Sequence, residues 1–125
     1  MSASRVLIVD DNMMNIAIAQ DVLLAEKFEV ETAADGFEAL RKVASFQPDL
    51  ILMDIQMPGK DGLAVTHELK ADPATRHIRI VAFTAFAMRG DETKMRTAGC
   101  DGYLSKPIDV KKFGAQVREF LEAPT

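Results

Sequence analysis

A chain of 125 residues, 48% hydrophobic and 27% charged, is expected to fold as one soluble domain with a substantial core. With a net charge of −4, the chain lacks the excess of Lys and Arg that binding to nucleic acids or anionic membranes requires. No signal peptide precedes the first strand-like segment, no apolar run reaches membrane-spanning length, and a single cysteine, Cys100, excludes an internal disulfide, so we expect a cytoplasmic protein.

Short apolar runs alternate with stretches of helical periodicity along the chain, without a repeat, a linker or a second domain. Runs this short and this apolar are typical of parallel strands buried on both faces. The predicted strands, numbered 1 to 5, are residues 5–9, 29–33, 49–53, 79–83 and 102–105. The predicted helices, numbered 1 to 5, are residues 12–26, 37–45, 62–71, 89–98 and 110–122. This order predicts an α/β fold of five βα units with right-handed crossovers in one domain, residues 1–125.

Polar side chains stand at the ends of four predicted strands. Asp10 and Asp11 follow strand 1, and Asp54 follows strand 3. Thr84 follows strand 4, and Lys106 follows strand 5. Because ligands of parallel α/β sheets bind at the carboxyl ends of the strands, we expect three carboxylates, one hydroxyl and one ammonium group in a single crevice.

Three carboxylates in one crevice repel one another by roughly 4 kcal/mol per close pair at an effective dielectric constant near 20. A cation would relieve this repulsion, and an oxygen-only ligand set suits Mg²⁺. Asp54 can then attack phosphorus and form an aspartyl phosphate. Mg²⁺ and Lys106 would neutralise the transferring oxygens, and the Thr84 hydroxyl would donate a hydrogen bond to one of them. The sequence thus predicts a metal-dependent phosphoryl site.

Four short motifs carry a resemblance to a known family. They are Val-Asp-Asp-Asn at residues 9–12, Met-Asp-Ile-Gln-Met-Pro at residues 53–58, Thr84-Ala85 and Lys106-Pro107. In order and spacing they resemble the receiver domain of bacterial two-component response regulators, which has the CheY-like fold. The resemblance spans essentially the whole chain and implies a doubly wound sheet of strand order 2-1-3-4-5.

The resemblance also implies a role for each site residue. Asp54 matches the aspartate that accepts a phosphoryl group from a histidine kinase or a histidine phosphotransfer protein. Mg²⁺ would bind to Asp10, Asp11, Asp54 and the backbone carbonyl of Gln56. Lys106 matches the lysine that contacts the phosphoryl group. The only chemistry implied is self-phosphorylation and autodephosphorylation, so we do not expect an enzyme.

Thr84 and Tyr103 match the switch pair of the family. Phosphorylation of Asp54 would add roughly one and a half to two negative charges, draw Thr84 toward the phosphoryl group and let Tyr103 turn inward. The face formed by helix 4, strand 5 and helix 5 would then change shape and bind a downstream target. Because no effector domain is expected, output would occur through a separate partner protein.

A narrower resemblance concerns residues 84–92, 99–100 and 103–108, which are similar to DivK-type single-domain regulators of bacterial cell-cycle control. Other segments of this sequence, notably residues 11–15, are similar to receiver domains of hybrid histidine kinases. Two interpretations therefore stay open. One is a single-domain regulator in cell-cycle or developmental control, and the other is a receiver domain excised from a hybrid kinase.

Other functional classes fit the sequence less well. A haloacid-dehalogenase-type phosphatase also uses an aspartyl nucleophile, but it needs a second aspartate two residues later, where this chain has Gln56. A flavodoxin-like protein needs a hydroxyl- and glycine-rich phosphate loop after strand 1, where Asp10 and Asp11 would repel a phosphate. A scaffold that works without phosphorylation would lack Asp54 or Lys106, and both are present.

Helix 1 has more apolar side chains than one core-facing stripe requires. Its predicted inward face comprises Ile18, Ala19, Val22 and Leu23. The surplus, which predicts a docking surface for a partner helix, comprises Met13, Met14, Ile16 and Ala17. We expect Met14, Ala17 and Pro107 to contact the phosphodonor, and we expect a monomer or weak dimer. Helix 5 has one inward face without surplus, formed by Val110, Phe113, Val117, Phe120 and Leu121.

Overall fold

The computed structural model describes residues 4–55, 62–84, 89–106 and 108–122. The strands of these residues are β1 (Arg5–Val9), β2 (Glu29–Ala33), β3 (Leu50–Asp54), β4 (Arg79–Thr84) and β5 (Gly102–Ser105). Their helices are α1 (Met13–Ala25), α2 (Gly36–Phe46), α3 (Gly62–Ala71), α4 (Arg89–Ala98) and α5 (Phe113–Glu122). The strands form one parallel sheet in the order β2-β1-β3-β4-β5, which confirms the predicted doubly wound fold. In the described ranges no helix has both the length and the apolar character needed to cross a membrane.

The core is divided by the sheet into two apolar layers. Alternate residues of β1 belong to opposite layers, since Val6 and Ile8 join one cluster and Leu7 and Val9 join the other. Helices α1 and α5 cover the first layer, and α2 and α3 cover the second. Because both faces of the central strands are covered, their sequences are continuous apolar runs and do not alternate between apolar and polar residues.

Helix α1 begins at a polar cap. The side-chain oxygen of Asn12 accepts hydrogen bonds from the backbone N–H groups of Met14 at 2.9 Å and Asn15 at 3.1 Å. Such a cap satisfies N–H groups that have no partner within the helix. The helix therefore starts at Met13, one residue later than predicted.

The orientation of α1 differs from the prediction at two positions. Ile16 was expected in the exposed surplus but is partly buried against the core, whereas Ile18 was expected inward and is 44% exposed. Ile16, Ala19 and Leu23 are spaced by three and four residues, so they form the stripe that the sheet covers. Ile18 lies on the flank of this stripe.

Helix α5 begins three residues later than predicted. The backbone N–H groups of Lys112 and Phe113 both donate to the carbonyl oxygen of Asp109 at 2.9 Å, and residues 110–112 form a turn. Val110 consequently lies outside the helix and is 59% exposed, so its assignment to the inward face is wrong.

Cys100 follows α4 and is partly buried against the second core layer. Burial raises the pKa of its thiol to about 11, and a hydrogen bond with Thr66 opposes this shift. The thiol therefore stays protonated at neutral pH, and Cys100 packs as a small, largely apolar side chain after the end of α4.

Gly62, the first residue of α3, allows this helix to approach the end of β3. A Cβ atom at this position would overlap with the carbonyl oxygen of Asp54 and lie 2.9 Å from Cγ of Met53. Met53 is fully buried, so the strand has little room to yield. A glycine is required here because of the close backbone approach.

The substitution Gly62→Ala is expected to lower the free energy of unfolding by about 1–3 kcal/mol, because the added methyl group would force α3 away from β3. Urea denaturation measures this loss. The control Ala64→Ser adds one heavy atom on the exposed side of the same helix, and its effect should stay within about 0.5 kcal/mol. Wild-type stability of Gly62→Ala would contradict the close approach.

Candidate functional site

The carboxyl ends of four strands bring the predicted side chains together. Asp10 directly follows β1, Asp54 ends β3, Thr84 ends β4 and Lys106 directly follows β5. These strands are consecutive neighbours in the sheet, so their ends lie along one edge. The crevice expected from the sequence is formed at this edge.

Lys106 bridges two buried carboxylates. Its Nζ lies 2.7 Å from Oδ2 of Asp10 and 3.3 Å from Oδ2 of Asp54. The Lys106 side chain is 14% exposed, and both carboxylates are buried. The ammonium group also lies 5.1 Å from the centroid of the Phe83 ring, in a cation–π arrangement. Because removing one partner of a buried ion pair typically costs about 3–5 kcal/mol, Lys106 is central to the charge balance of the crevice.

Three carboxylates converge beside this ammonium group. One oxygen from each of Asp10, Asp11 and Asp54 lies within 4.8 Å of the other two. Oδ1 of Asp10 accepts a hydrogen bond from the backbone N–H of Asn12 at 2.8 Å, and Oδ2 accepts a longer one from the Asn15 amide at 3.5 Å. Asp10 and Asp54 are buried, whereas Asp11 is exposed. Such an oxygen-only set fits a hard divalent cation such as Mg²⁺, which keeps several water ligands.

Thr84 and Tyr103 lie on neighbouring strands beside this cluster. Thr84 is buried and is in register with Ser105, whereas Tyr103, two residues earlier on β5, is 40% exposed. The backbone N–H of Lys106 donates to the carbonyl oxygen of Thr84 at 2.7 Å, so the main chain connects the threonine directly to the lysine. Gln56 and Pro107, for which we also predicted roles, lie outside the described residues.

Sequence reasoning did not identify three residues that support the cluster, namely Asn12, Asn15 and Phe83. A signal existed for Asn15, because it is the one polar residue in the otherwise apolar segment 13–19 at the start of this helix, next to the crevice. No signal existed for Phe83, which is one of several apolar residues in β4. Its contact with the ammonium group depends on the tertiary structure.

An apolar surface borders the crevice on the α1 side. Met14 is 74% exposed, and Ala17 is also exposed. A cavity of about 110 Å³ connects this helix to the lysine. It is lined by Asn15, Ile18, Phe83, Lys106, Ile108 and Val110. The exposed Ile18 and Val110, which we had predicted to face inward, therefore line this cavity.

Similarity to known proteins agrees with this geometry. Residues 6–118 match the sequence family described as the response regulator receiver domain. The polar-differentiation response regulator DivK of Brucella anthropi is 46% identical over 116 residues, which cover 93% of this chain and 94% of that protein. The chemotaxis protein CheY4 of Vibrio cholerae has a similar structure, with a TM-score of 0.90 at 26% identity over 94% of this chain and 98% of that one.

A second solved structure concerns the metal. The receiver domain of a sensor histidine kinase from Pseudomonas aeruginosa has a TM-score of 0.87 at 30% identity, covering 97% of this chain and 99% of that one. A magnesium ion is coordinated in the active-site cleft of that protein. With the acidic crevice at the carboxyl end of a 2-1-3-4-5 sheet and a family match that spans most of its length, this chain belongs to the response regulator receiver domain family.

Proposed function

We propose that this chain is a phosphorylation-activated signalling switch and that Asp54 accepts the phosphoryl group. The observation that carries the proposal is the environment of Asp54, a buried carboxylate with an ammonium group at 3.3 Å and two further carboxylates within 4.8 Å. A carboxylate in contact with a fixed cation is well suited to attack phosphorus, since the cation can follow the charge to the transferring oxygens.

The proposed reaction is transfer from a phosphohistidine of a histidine kinase or phosphotransfer protein. An oxygen of Asp54 attacks the phosphorus, the new O–P bond forms as the N–P bond breaks, and the electron pair returns to the imidazole nitrogen. Lys106 keeps its ammonium group beside the acceptor and donates hydrogen bonds to a phosphoryl oxygen, while the Thr84 hydroxyl donates to another. In autodephosphorylation a water oxygen attacks the phosphorus, the Asp54 O–P bond breaks and inorganic phosphate leaves. No further enzymatic activity is proposed.

Asp10, Asp11 and Asp54 would hold Mg²⁺, together with the backbone carbonyl of Gln56. When bound, Mg²⁺ supplies positive charge that neutralises the phosphoryl oxygens. The hydrogen bond from the Asn12 N–H to Oδ1 holds the Asp10 carboxylate in its orientation toward the crevice. Because Asp11 is exposed, the site is open to solvent on one side. This suits Mg²⁺, which keeps several water ligands when it binds to a protein.

Input and output are proposed to use different surfaces. The phosphodonor would dock on Met14, Ala17 and Pro107, beside the crevice, and the downstream target would bind the face of α4, β5 and α5. Thr84 and Tyr103 would couple the two, because Thr84 is buried next to the acceptor strand and Tyr103 is exposed on the output face. We propose a cytoplasmic single-domain protein, monomeric or weakly dimeric, that signals through protein contacts.

The pathway proposed is a cell-cycle or developmental one. Support comes from the 46% identity to DivK, which is described as a polar-differentiation regulator, over nearly the full length of both proteins. The solved receiver of a sensor kinase is less similar, at 30% identity, so an excised kinase receiver is the weaker alternative.

Asp54→Asn should abolish labelling by a small phosphodonor such as acetyl phosphate in the presence of Mg²⁺, because a neutral amide lacks the nucleophilic carboxylate oxygen. Labelling is measured by intact-protein mass spectrometry. The control Asp21→Asn, an exposed position on α1, should be labelled like the wild type. Undiminished labelling of Asp54→Asn would exclude this acceptor.

Mg²⁺ should raise the melting temperature, because an ion that binds only the folded crevice adds about 2.7 kcal/mol of stability at a hundredfold excess over its Kd. Asp11→Asn should weaken Mg²⁺ binding by about tenfold, or 1.4 kcal/mol, and should stabilise the metal-free protein by removing a repelling charge. Thermal unfolding across a Mg²⁺ titration measures both effects. An unchanged Mg²⁺ affinity in Asp11→Asn would argue against this site, and Asp21→Asn is again the control.

Thr84→Ala should still be labelled at Asp54, since its hydroxyl is neither the nucleophile nor a metal ligand. The change at Tyr103 on addition of fluoroberyllate and Mg²⁺ should be lost in this variant. The reason is that the coupling free energy between the phosphoryl site and Tyr103, about 1–3 kcal/mol, is removed. Tyr103 is the only tyrosine and the chain has no tryptophan, so intrinsic fluorescence reports this residue alone. A full fluoroberyllate-induced fluorescence change in Thr84→Ala would contradict the proposed coupling.

A further inference from the structure

The register of β5 is weakly determined by packing. The strand has four residues and lies at the edge of the sheet, so β4 is its strand neighbour within the described chain. Leu104 is its one buried side chain among these residues. A slip by one residue would exchange Leu104 with an exposed neighbour such as Tyr103, and a single buried side chain resists such a slip only weakly. Apart from the close packing of Gly102 against the ring of Phe120, the start of this strand therefore depends on hydrogen bonds and ion pairs.

Asp101, immediately before β5, makes such contacts. Its backbone N–H donates to the carbonyl oxygen of Ile80 at 2.7 Å, and its Oδ2 accepts from the backbone N–H of Ile80 at 2.8 Å. The same Oδ2 lies 2.9 Å from Nζ of Lys70 at the end of α3. Lys70 also donates to the carbonyl oxygens of Arg76 at 3.2 Å and Ile78 at 2.8 Å. Lys70 thus links the Asp101 carboxylate to the segment that precedes β4.

Gly99 completes the arrangement, which we call the clasp and define as Lys70, Gly99 and Asp101. Gly99 has a φ of +107°, and a Cβ atom there would come within 2.8 Å of Cγ of Lys70. The Lys70 stem therefore lies directly against the glycine that ends α4. The clasp joins the end of α3, the end of α4 and the start of β5 at a single point.

We propose that Lys70 and Asp101 are positioning residues for the phosphoryl site, acting through the register of β5. The proposal rests on the function proposed above. Lys106 follows β5 directly, so the backbone that carries it moves with the strand. A one-residue slip would shift that backbone by about 3.3 Å, which is comparable to the whole separation between Lys106 Nζ and Asp54. The clasp and the active-site lysine thus lie at opposite ends of the same short strand.

The first test is the rate of Asp54 labelling by acetyl phosphate with Mg²⁺ in Asp101→Ala. We expect the rate to fall by between about tenfold and a hundredfold, since a displacement of about 1 Å can have such an effect on a reacting group. The control Val43→Ala removes buried packing on α2 without touching β5, and it should be labelled at the wild-type rate. Both are compared at a temperature where circular dichroism shows them fully folded.

The second test separates positioning from general destabilisation. Lys106→Ala lowers labelling by itself, and adding Asp101→Ala to it should lower labelling no further if the clasp acts through Lys106. A role independent of Lys106 would instead give the product of the two single effects and would overturn the proposal. A wild-type rate in Asp101→Ala would overturn it as well.

Milder variants keep the test decisive if Asp101→Ala does not fold. Asp101→Asn retains an acceptor for the Ile80 N–H but loses the charge, and Lys70→Met retains the stem against Gly99 but loses the ammonium group. Both should slow labelling, by less than Asp101→Ala, and the effect should again disappear in Lys106→Ala. Wild-type rates in both would refute the clasp while leaving Asp54 as acceptor, whereas labelling of Asp54→Asn would refute the proposed function itself.

Discussion

The ammonium group of Lys106 between the carboxylates of Asp10 and Asp54 is the interaction on which the site depends. Two buried acids in one crevice would be strongly unfavourable without a cation, and Lys106 is held there with little exposure above the ring of Phe83. The closer contact is with Asp10, at 2.7 Å, and the longer one is with Asp54, at 3.3 Å. The carboxylate assigned as nucleophile is therefore the less tightly paired of the two.

This charge arrangement requires a rigid sheet beneath it. The central strands are buried on both faces, so neither β1 nor β3 can move without disturbing two packed layers. The sheet itself does not determine the chemistry, because doubly wound sheets support many unrelated functions. CheY4 has nearly the same backbone at 26% identity. What distinguishes this crevice from a nucleotide- or flavin-binding one is three acids where a phosphate-binding loop would otherwise stand.

Strand β5 is the part of the sheet that packing holds least firmly, and it contains Tyr103 and leads directly into Lys106. Asp101 of the clasp accepts a hydrogen bond from Ile80 of β4 just before β5 begins, Lys106 follows the end of β5, and the exposed Tyr103 lies between them. In the proposed switch, this strand would transmit a change at the crevice to the neighbouring helices. Gly102 lets this strand lie close to α5, because a Cβ atom there would overlap with the ring of Phe120.

The sequence alone determined the fold class and the residues of the crevice, since short apolar runs that end in Asp10, Asp54, Thr84 and Lys106 are typical of buried parallel strands with polar carboxyl ends. The tertiary structure decided which side of α1 faces the core, and it exchanged the expected roles of Ile16 and Ile18. It also decided that α5 starts at Phe113, because a turn after Asp109 competes with helix. The Lys70–Asp101 pair spans 31 residues, and no local pattern predicts a contact that forms only when two helix ends and a strand meet.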